Sequence, residues 1–262
     1  MGAYLRLLPV LAILVPATMM LAPVQLVAMR FKLPVARKIP VLWHRLALWL
    51  VGVKVNVRGK VPAQRPLLIV ANHISWADIL VLGSVMPLCF IAKSEMTAWP
   101  VINWLAFMQR TVFVERNNGR DSRRQAGTIA ARLIEGDAMV LFAEGTTGDG
   151  IRLRPFKSAL FGAVHAALET AHFSHVTVQP VALAYTRLNG LPLGRYHQAR
   201  AAWPGDVPLA PHLLSFIANG AYDVDVVFAE PGDFALDTRR KDISAITRRR
   251  VHASFAAAMR MR

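Results

Sequence analysis

The segment Asn72-His73-Ile74-Ser75-Trp76-Ala77-Asp78 holds the first pair of side chains suited to chemistry. An imidazole exchanges a proton near neutral pH, and a carboxylate held to one ring nitrogen makes the other a better base. Along one continuous helix, five residues turn through about 140°, so His73 and Asp78 can meet only across a turn. Ser75 supplies one if it caps a helix starting at Trp76. Ser75-x-x-Asp78 also has the form of a capping box, which alone would account for both polar residues.

A second cluster is Leu141-Phe142-Ala143-Glu144-Gly145-Thr146-Thr147-Gly148-Asp149-Gly150, followed by Arg152, Arg154, Pro155, Phe156 and Lys157. A Gly-rich turn of this kind brings backbone N–H groups, a carboxylate and cations to one strand end. A third polar turn, Phe113 to Asn118, offers Arg116 to a phosphate or carboxylate. His165, His172 and His175 are irregularly spaced and have no cysteine near them, so no metal site is expected. Cys89 is the single cysteine, flanked by Leu88 and Phe90, and reads as a buried structural thiol. No Gly-x-Ser-x-Gly elbow and no phosphate-binding Gly-rich Lys loop occurs.

The elements that must carry these turns alternate short apolar runs with amphipathic helices, the pattern of an α/β domain. Strands are expected at 53–57, 67–71, 88–92, 111–114, 138–142, 176–184 and 224–228. Helices are expected at 41–51, 79–85, 121–135 and 156–169, the last opening after Pro155. Residues 188–211 are rich in Pro and Gly and are expected to form a long surface loop, or a lid. The chain divides into a hydrophobic anchor (1–39), a catalytic domain (40–237) and a basic C-terminal helix (238–262).

Leu7 to Met29 is a run of 23 residues without charge, long enough to span a bilayer, bracketed by Arg6 and Arg30. It is too long for a signal-peptide core, and Pro9, Pro16 and Pro23 recur at intervals of seven, so a kinked or interfacial helix is the alternative. Residues 1–77 hold ten Lys or Arg and no acid. Arg30, Lys32, Arg37 and Lys38 place the C-terminal side of the run in the cytoplasm. The helix after Pro40 carries Trp43 and Trp49 around Arg45, which suits a headgroup layer. So does the C-terminal helix, with eight Lys or Arg against Asp242.

The net charge of +15 indicates an anionic partner surface. A nucleic-acid binder would interleave its bases with stacking aromatics on a soluble fold. Here they flank an uncharged apolar run, and the mean hydropathy is +0.36, so lipid is the expected partner and nucleic acid is not. A purely structural membrane protein would leave the polar turns unexplained.

Taken together, the turns resemble the glycerolipid acyltransferase family, which includes 1-acylglycerol-3-phosphate acyltransferases. Its Asn-His-x4-Asp, Phe-x-x-Arg and Phe-Pro-Glu-Gly-Thr-Arg blocks and a short apolar block with a central Pro stand here, in order, as Asn72–Asp78, Phe113–Arg116, Phe142–Thr147 and Val178–Val181. The resemblance covers residues 40–230. It implies a mixed α/β sheet flanked by helices behind an N-terminal membrane-anchoring helix. It also implies acyl transfer from an acyl carrier protein or coenzyme A thioester to the hydroxyl of a lysolipid, without metal or other cofactor, on the cytoplasmic side of the inner membrane. His73 would be the general base and Asp78 its orienting partner. Glu144, Gly145 and Thr146 would bind the acceptor, with Arg116 and Lys157 toward its anionic headgroup. Two residues depart from the pattern: Ala143 replaces Pro and Thr147 replaces Arg. With Gly148-Asp149-Gly150 and Pro155-Phe156-Lys157-Ser158, these resemble the branch that acylates lyso-ornithine lipid rather than lysophosphatidate.

Overall fold

The computed structural model describes residues 2–114, 119–205 and 207–260. In chain order the first elements are helices α1 (Gly2–Arg30) and α2 (Ile39–Val51), strands β1 (Val53–Arg58) and β2 (Leu67–Ala71), α3 (Ala77–Val85), β3 (Cys89–Lys93), α4 (Pro100–Met108) and β4 (Val112–Val114). They are followed by α5 (Gly119–Ile134), β5 (Ala138–Phe142), α6 (Gly162–Thr170), β6 (His175–Leu188) and β7 (Leu191–Pro192). The chain closes with α7 (Gly194–Ala201), α8 (Leu209–Asn219), β8 (Tyr222–Phe228), β9 (Gly232–Ala235) and α9 (Arg240–Arg260).

Every residue of β2 is buried, as an uninterrupted apolar run requires of a strand covered on both faces. The sheet runs β1-β8-β6-β2-β5-β3-β4, with β7 and β9 also pairing β6. β2, β5, β3 and β4 are parallel and β6 joins them in parallel, whereas β8 is antiparallel to β6. β1, whose Lys54, Val57 and Arg58 are exposed, takes the edge. The crossovers through α3 and α4 step along the sheet one way and those through α5 and α6 step back. Right-handed connections therefore put the two pairs on opposite faces. α1 and α2 join the α3 face, and α9 packs on β6 beside α6.

α1 is long and apolar enough to cross a membrane by length and composition. It does not stand apart from the domain. Val10, Gln25 and Ala28 are buried, Trp43 donates to the Thr18 hydroxyl (2.7 Å), and Gln25 donates to the carbonyls of Ala36 (3.0 Å) and Met108 (2.8 Å). The Arg6 guanidinium lies over Gly220. Contact thus runs the length of the helix, which continues through all three prolines.

Several sequence expectations are corrected. The helix after Pro155 begins later: Lys157 N–H bonds to the Ala143 carbonyl (2.8 Å), which ties that stretch to the Glu144 turn, and a 3-10 turn (Ser158–Phe161) precedes α6. The segment 188–211 is not one loop but contains β7, α7 and the start of α8, with Leu193, Gln198 and Ala201 buried. α9 is not laid on lipid by its apolar stripe, because Ile243, Val251 and Phe255 are already buried in the main core.

Candidate active site

β2 ends at Ala71 and β5 at Phe142, side by side, so the turns that follow them share one edge of the sheet. After Ala71 the chain makes the turn that the His73–Asp78 spacing demands. α3 then starts at Ala77, and no side chain caps it. The expected Ser75 side-chain cap is absent; Asp78 instead organises the turn before the helix, its Oδ2 accepting the backbone N–H groups of Ile74 (2.6 Å) and Ser75 (2.9 Å). The same oxygen lies 2.9 Å from His73 Nδ1, while Oδ1 accepts the Tyr185 hydroxyl at 2.8 Å.

Asp78 is fully buried and His73 keeps 16% of its side chain exposed. A carboxylate surrounded by donors acts as an acceptor, so the network assigns the proton of Nδ1 to the His73–Asp78 bond and leaves the Nε2 lone pair available. The ring is held flat against Phe142, with centroids 3.9 Å apart and planes at 13°. Asn72 fixes the start of the turn by bonding both backbone groups of Leu183 on β6 (2.8 and 2.9 Å). Burial first, then the Asp78 charge and its hydrogen bond, hold the Tyr185 phenol well above its ordinary pKa, so it remains a donor.

Glu144 is buried beneath this turn rather than open to solvent. The backbone N–H groups of His73 and Arg154 point at its carboxylate, yet burial dominates and pushes its pKa up to about 8. A methyl on Gly148 would stand 3.3 Å from Glu144 Oε2, and Gly148 N–H bonds to the His73 carbonyl (2.7 Å), so the two turns are stitched together by backbone. Gly145 takes a positive φ of 73° and is buried, which makes it the hinge of the second turn. The hydroxyls of Thr146 and Thr147 face Gly205, whose Cβ, if present, would lie 2.9 Å and 3.9 Å from them.

The structure thus brings His73, Asp78, Glu144, Gly145 and Thr146 to one edge. Lys157 has an exposed side chain and meets this region through its backbone. Arg116 lies outside the described residues. Sequence reasoning missed Tyr185, which looks like an ordinary aromatic inside a strand, and Trp203, whose N–H bonds to the Ile74 carbonyl (2.9 Å) and brings residues 203–205 against the site. A buried carboxylate, a ring nitrogen with a free lone pair and a partly open edge make a general base for a hydroxyl nucleophile.

The family model described as Acyltransferase matches residues 53–184, from β1 into β6. The chain is 46% identical over 255 residues to a lyso-ornithine lipid O-acyltransferase of Brucella abortus (strain 2308), covering 97% of this chain and 96% of that one. It is 44% identical to another of that name from Rhizobium meliloti (strain 1021), covering 95% and 86%. Its fold is like that of the crystal structure of the 1-acyl-sn-glycerophosphate acyltransferase from Thermotoga maritima, with a TM-score of 0.61 at 21% identity over 98% of this chain and 97% of that one. With the His73–Asp78 edge inside the matched region, the chain belongs to the acyltransferase family.

Proposed function

We propose that this protein transfers a fatty acyl chain from a thioester to the free hydroxyl of lyso-ornithine lipid at the cytoplasmic face of the inner membrane. The observation that carries the reading is the His73–Asp78 pair, with Nε2 free at a partly open sheet edge. His73 Nε2 takes the hydroxyl proton as the acceptor oxygen attacks the thioester carbonyl. The C–O bond forms, the C–S bond breaks, and the imidazolium returns the proton to the departing thiolate. Asp78 holds the tautomer and offsets the charge on the ring. No acyl-enzyme is needed.

The acceptor is supported by the names of the Brucella and Rhizobium relatives and by Thr147. Where the family pattern has a cation, Thr147 is 5% exposed and backed by Gly205. An arginine would not fit there without displacing the 203–205 segment, so position 147 offers no charge-assisted bond to a phosphate monoester, an interaction of roughly 1.5–3 kcal/mol. The donor we favour is an acidic acyl carrier protein. Arg152, Arg154 and Lys157 are exposed beside the site and Arg248 of α9 donates to the Arg154 carbonyl (3.5 Å). This basic surface continues along α9, on the sheet face opposite α1. Such an extended set of exposed cations suits a protein better than a small ligand, which needs a concave site.

The test is an assay of membranes containing wild type or His73→Ala, with lyso-ornithine lipid and lysophosphatidate in parallel and acyl carrier protein or coenzyme A thioesters as donors. We expect lyso-ornithine lipid and the carrier-protein donor to have the higher kcat/KM. His73→Ala should lose at least ~100-fold in turnover without unfolding. Near-normal activity of that variant sinks the mechanism; a preference for lysophosphatidate sinks the acceptor.

A further inference from the structure

α4 is apolar on all sides except at Asn103, and a helix of that kind is normally buried. Among its residues only Met108 is buried; Val101 is 69% exposed, Phe107 53% and Trp104 41%, and Trp99 just before it 41%. Nine residues are too few for a helix to be stable in water by itself. The protein tethers α4 mainly at its C-terminal end, through Gln25 to the Met108 carbonyl and Gln109 to the Leu88 carbonyl (3.0 Å).

We infer that α4 is a second lipid-inserted element that extends the bilayer contact of α1 to the edge of the active site. Three observations identify the cover as lipid. α4 lies on the same sheet face as α1 and is bonded to it through Gln25, so the two apolar surfaces are continuous. The outer side of α1 exposes Leu8, Met19, Met20, Val24 and Val27; a second copy of the chain seated on α4 would have to cover that length as well. Trp99 and Trp104 are side chains that settle at the level of lipid headgroups.

The position gives the contact a purpose. α4 follows the C-terminal end of β3, which neighbours β5, the strand that ends at the Glu144 turn. Lipid held against α4 is therefore level with the catalytic edge, and a lysolipid moving laterally in the leaflet arrives there without crossing water.

The test uses the full chain. Val101→Cys labelled with an environment-sensitive fluorophore, in a background where Cys89 is buried and unreactive, should shift its emission to the blue when phosphatidylcholine–phosphatidylglycerol vesicles are added. The double variant Val101→Glu, Trp104→Glu should raise the apparent KM for vesicle-embedded acceptor at least fivefold. Its turnover of a short-chain, water-soluble acceptor should stay within twofold of wild type. The fluorescence arm does not depend on the acceptor's identity, so its failure is separate from failure of the proposed function. An unshifted emission with vesicles, or a blue shift that instead follows protein concentration without them, overturns the inference; so does an unchanged KM.

Discussion

Asp78 accepts two backbone N–H groups, the Tyr185 hydroxyl and His73 Nδ1, and its complete burial makes each partner matter. A buried acceptor deprived of a donor costs about 1–3 kcal/mol. Tyr185 is locked in turn: its ring packs edge-on against Phe216 and Tyr222, and Gln198 donates to its carbonyl (3.0 Å). Tyr185→Phe keeps that packing and removes only the hydroxyl. We expect kcat to fall about tenfold, equivalent to about 1.4 kcal/mol of lost orientation, with KM nearly unchanged and a lower denaturation midpoint. A variant with wild-type kcat would show that the two backbone amides alone hold Asp78. His73 and Asp78 were legible in the sequence as a candidate pair because their spacing can close across a turn at a strand end, and the structure brings them together. Tyr185 was not, because a tyrosine 107 positions away from Asp78 carries no local mark of what its hydroxyl will meet.

Among the elements, the closest approach that positions the site is between α2 and α3. Gly83 lies directly against the buried His44 ring, so that a methyl at this position would overlap it. Since α3 starts at the catalytic turn, its seat on α2 sets the height of Asp78 above the sheet. Gly83→Ala should destabilise the fold by about 1–3 kcal/mol, the usual cost of overpacking. His44→Ala added to that variant should recover part of the loss, as read from urea midpoints in mild detergent. A Gly83→Ala midpoint equal to wild type would mean that α2 and α3 separate easily. The approximate bounds of most strands could be read from apolar runs. The start of α3 falls one residue after the Trp76 expected for it, but the content of 188–211 could not be read, since backbone bonds to Thr186 and Ile74 decide it.

For the molecule as a whole, two buried titratable groups pull stability in opposite directions with pH. His44 is lowered from 6.5 to about 4 by burial, so the folded state disfavours its proton. Its contribution is complete above pH 6.5 and is lost as pH falls toward 4. Glu144 is raised from 4.5 to about 8, so its contribution is complete below pH 4.5 and is lost as pH rises toward 8. Between pH 4.5 and 6.5 the two slopes oppose. From 6.5 to 8 only the Glu144 slope remains of the pair, about 2 kcal/mol in all. Wild type should therefore lose stability between pH 6.5 and 8, and Glu144→Gln, which mimics the protonated form, should not. Denaturant midpoints at both pH values decide this; an equal fall in the variant would place the alkaline loss elsewhere.

Local order along the chain was enough to single out the His73–Asp78 pair as a candidate, to show an α/β core that carries it, and to show that the first thirty residues hold a run apolar and long enough to cross a membrane. Each of these follows from side-chain type and short-range spacing, which folding does not alter. The tertiary structure alone decided the partners that make those residues work. β6 brings Leu183 to Asn72 and Tyr185 to Asp78, the Glu144 turn is sewn under the His73 turn, and the 203–205 segment closes over Thr147. It also decided which helices remain uncovered: α9 spends its apolar stripe on the sheet, while α1 and α4 do not. The physical reason is the same in each case. Burial and hydrogen bonding between residues far apart in the sequence are set by strand order and helix faces, and neither is written in any local stretch of sequence.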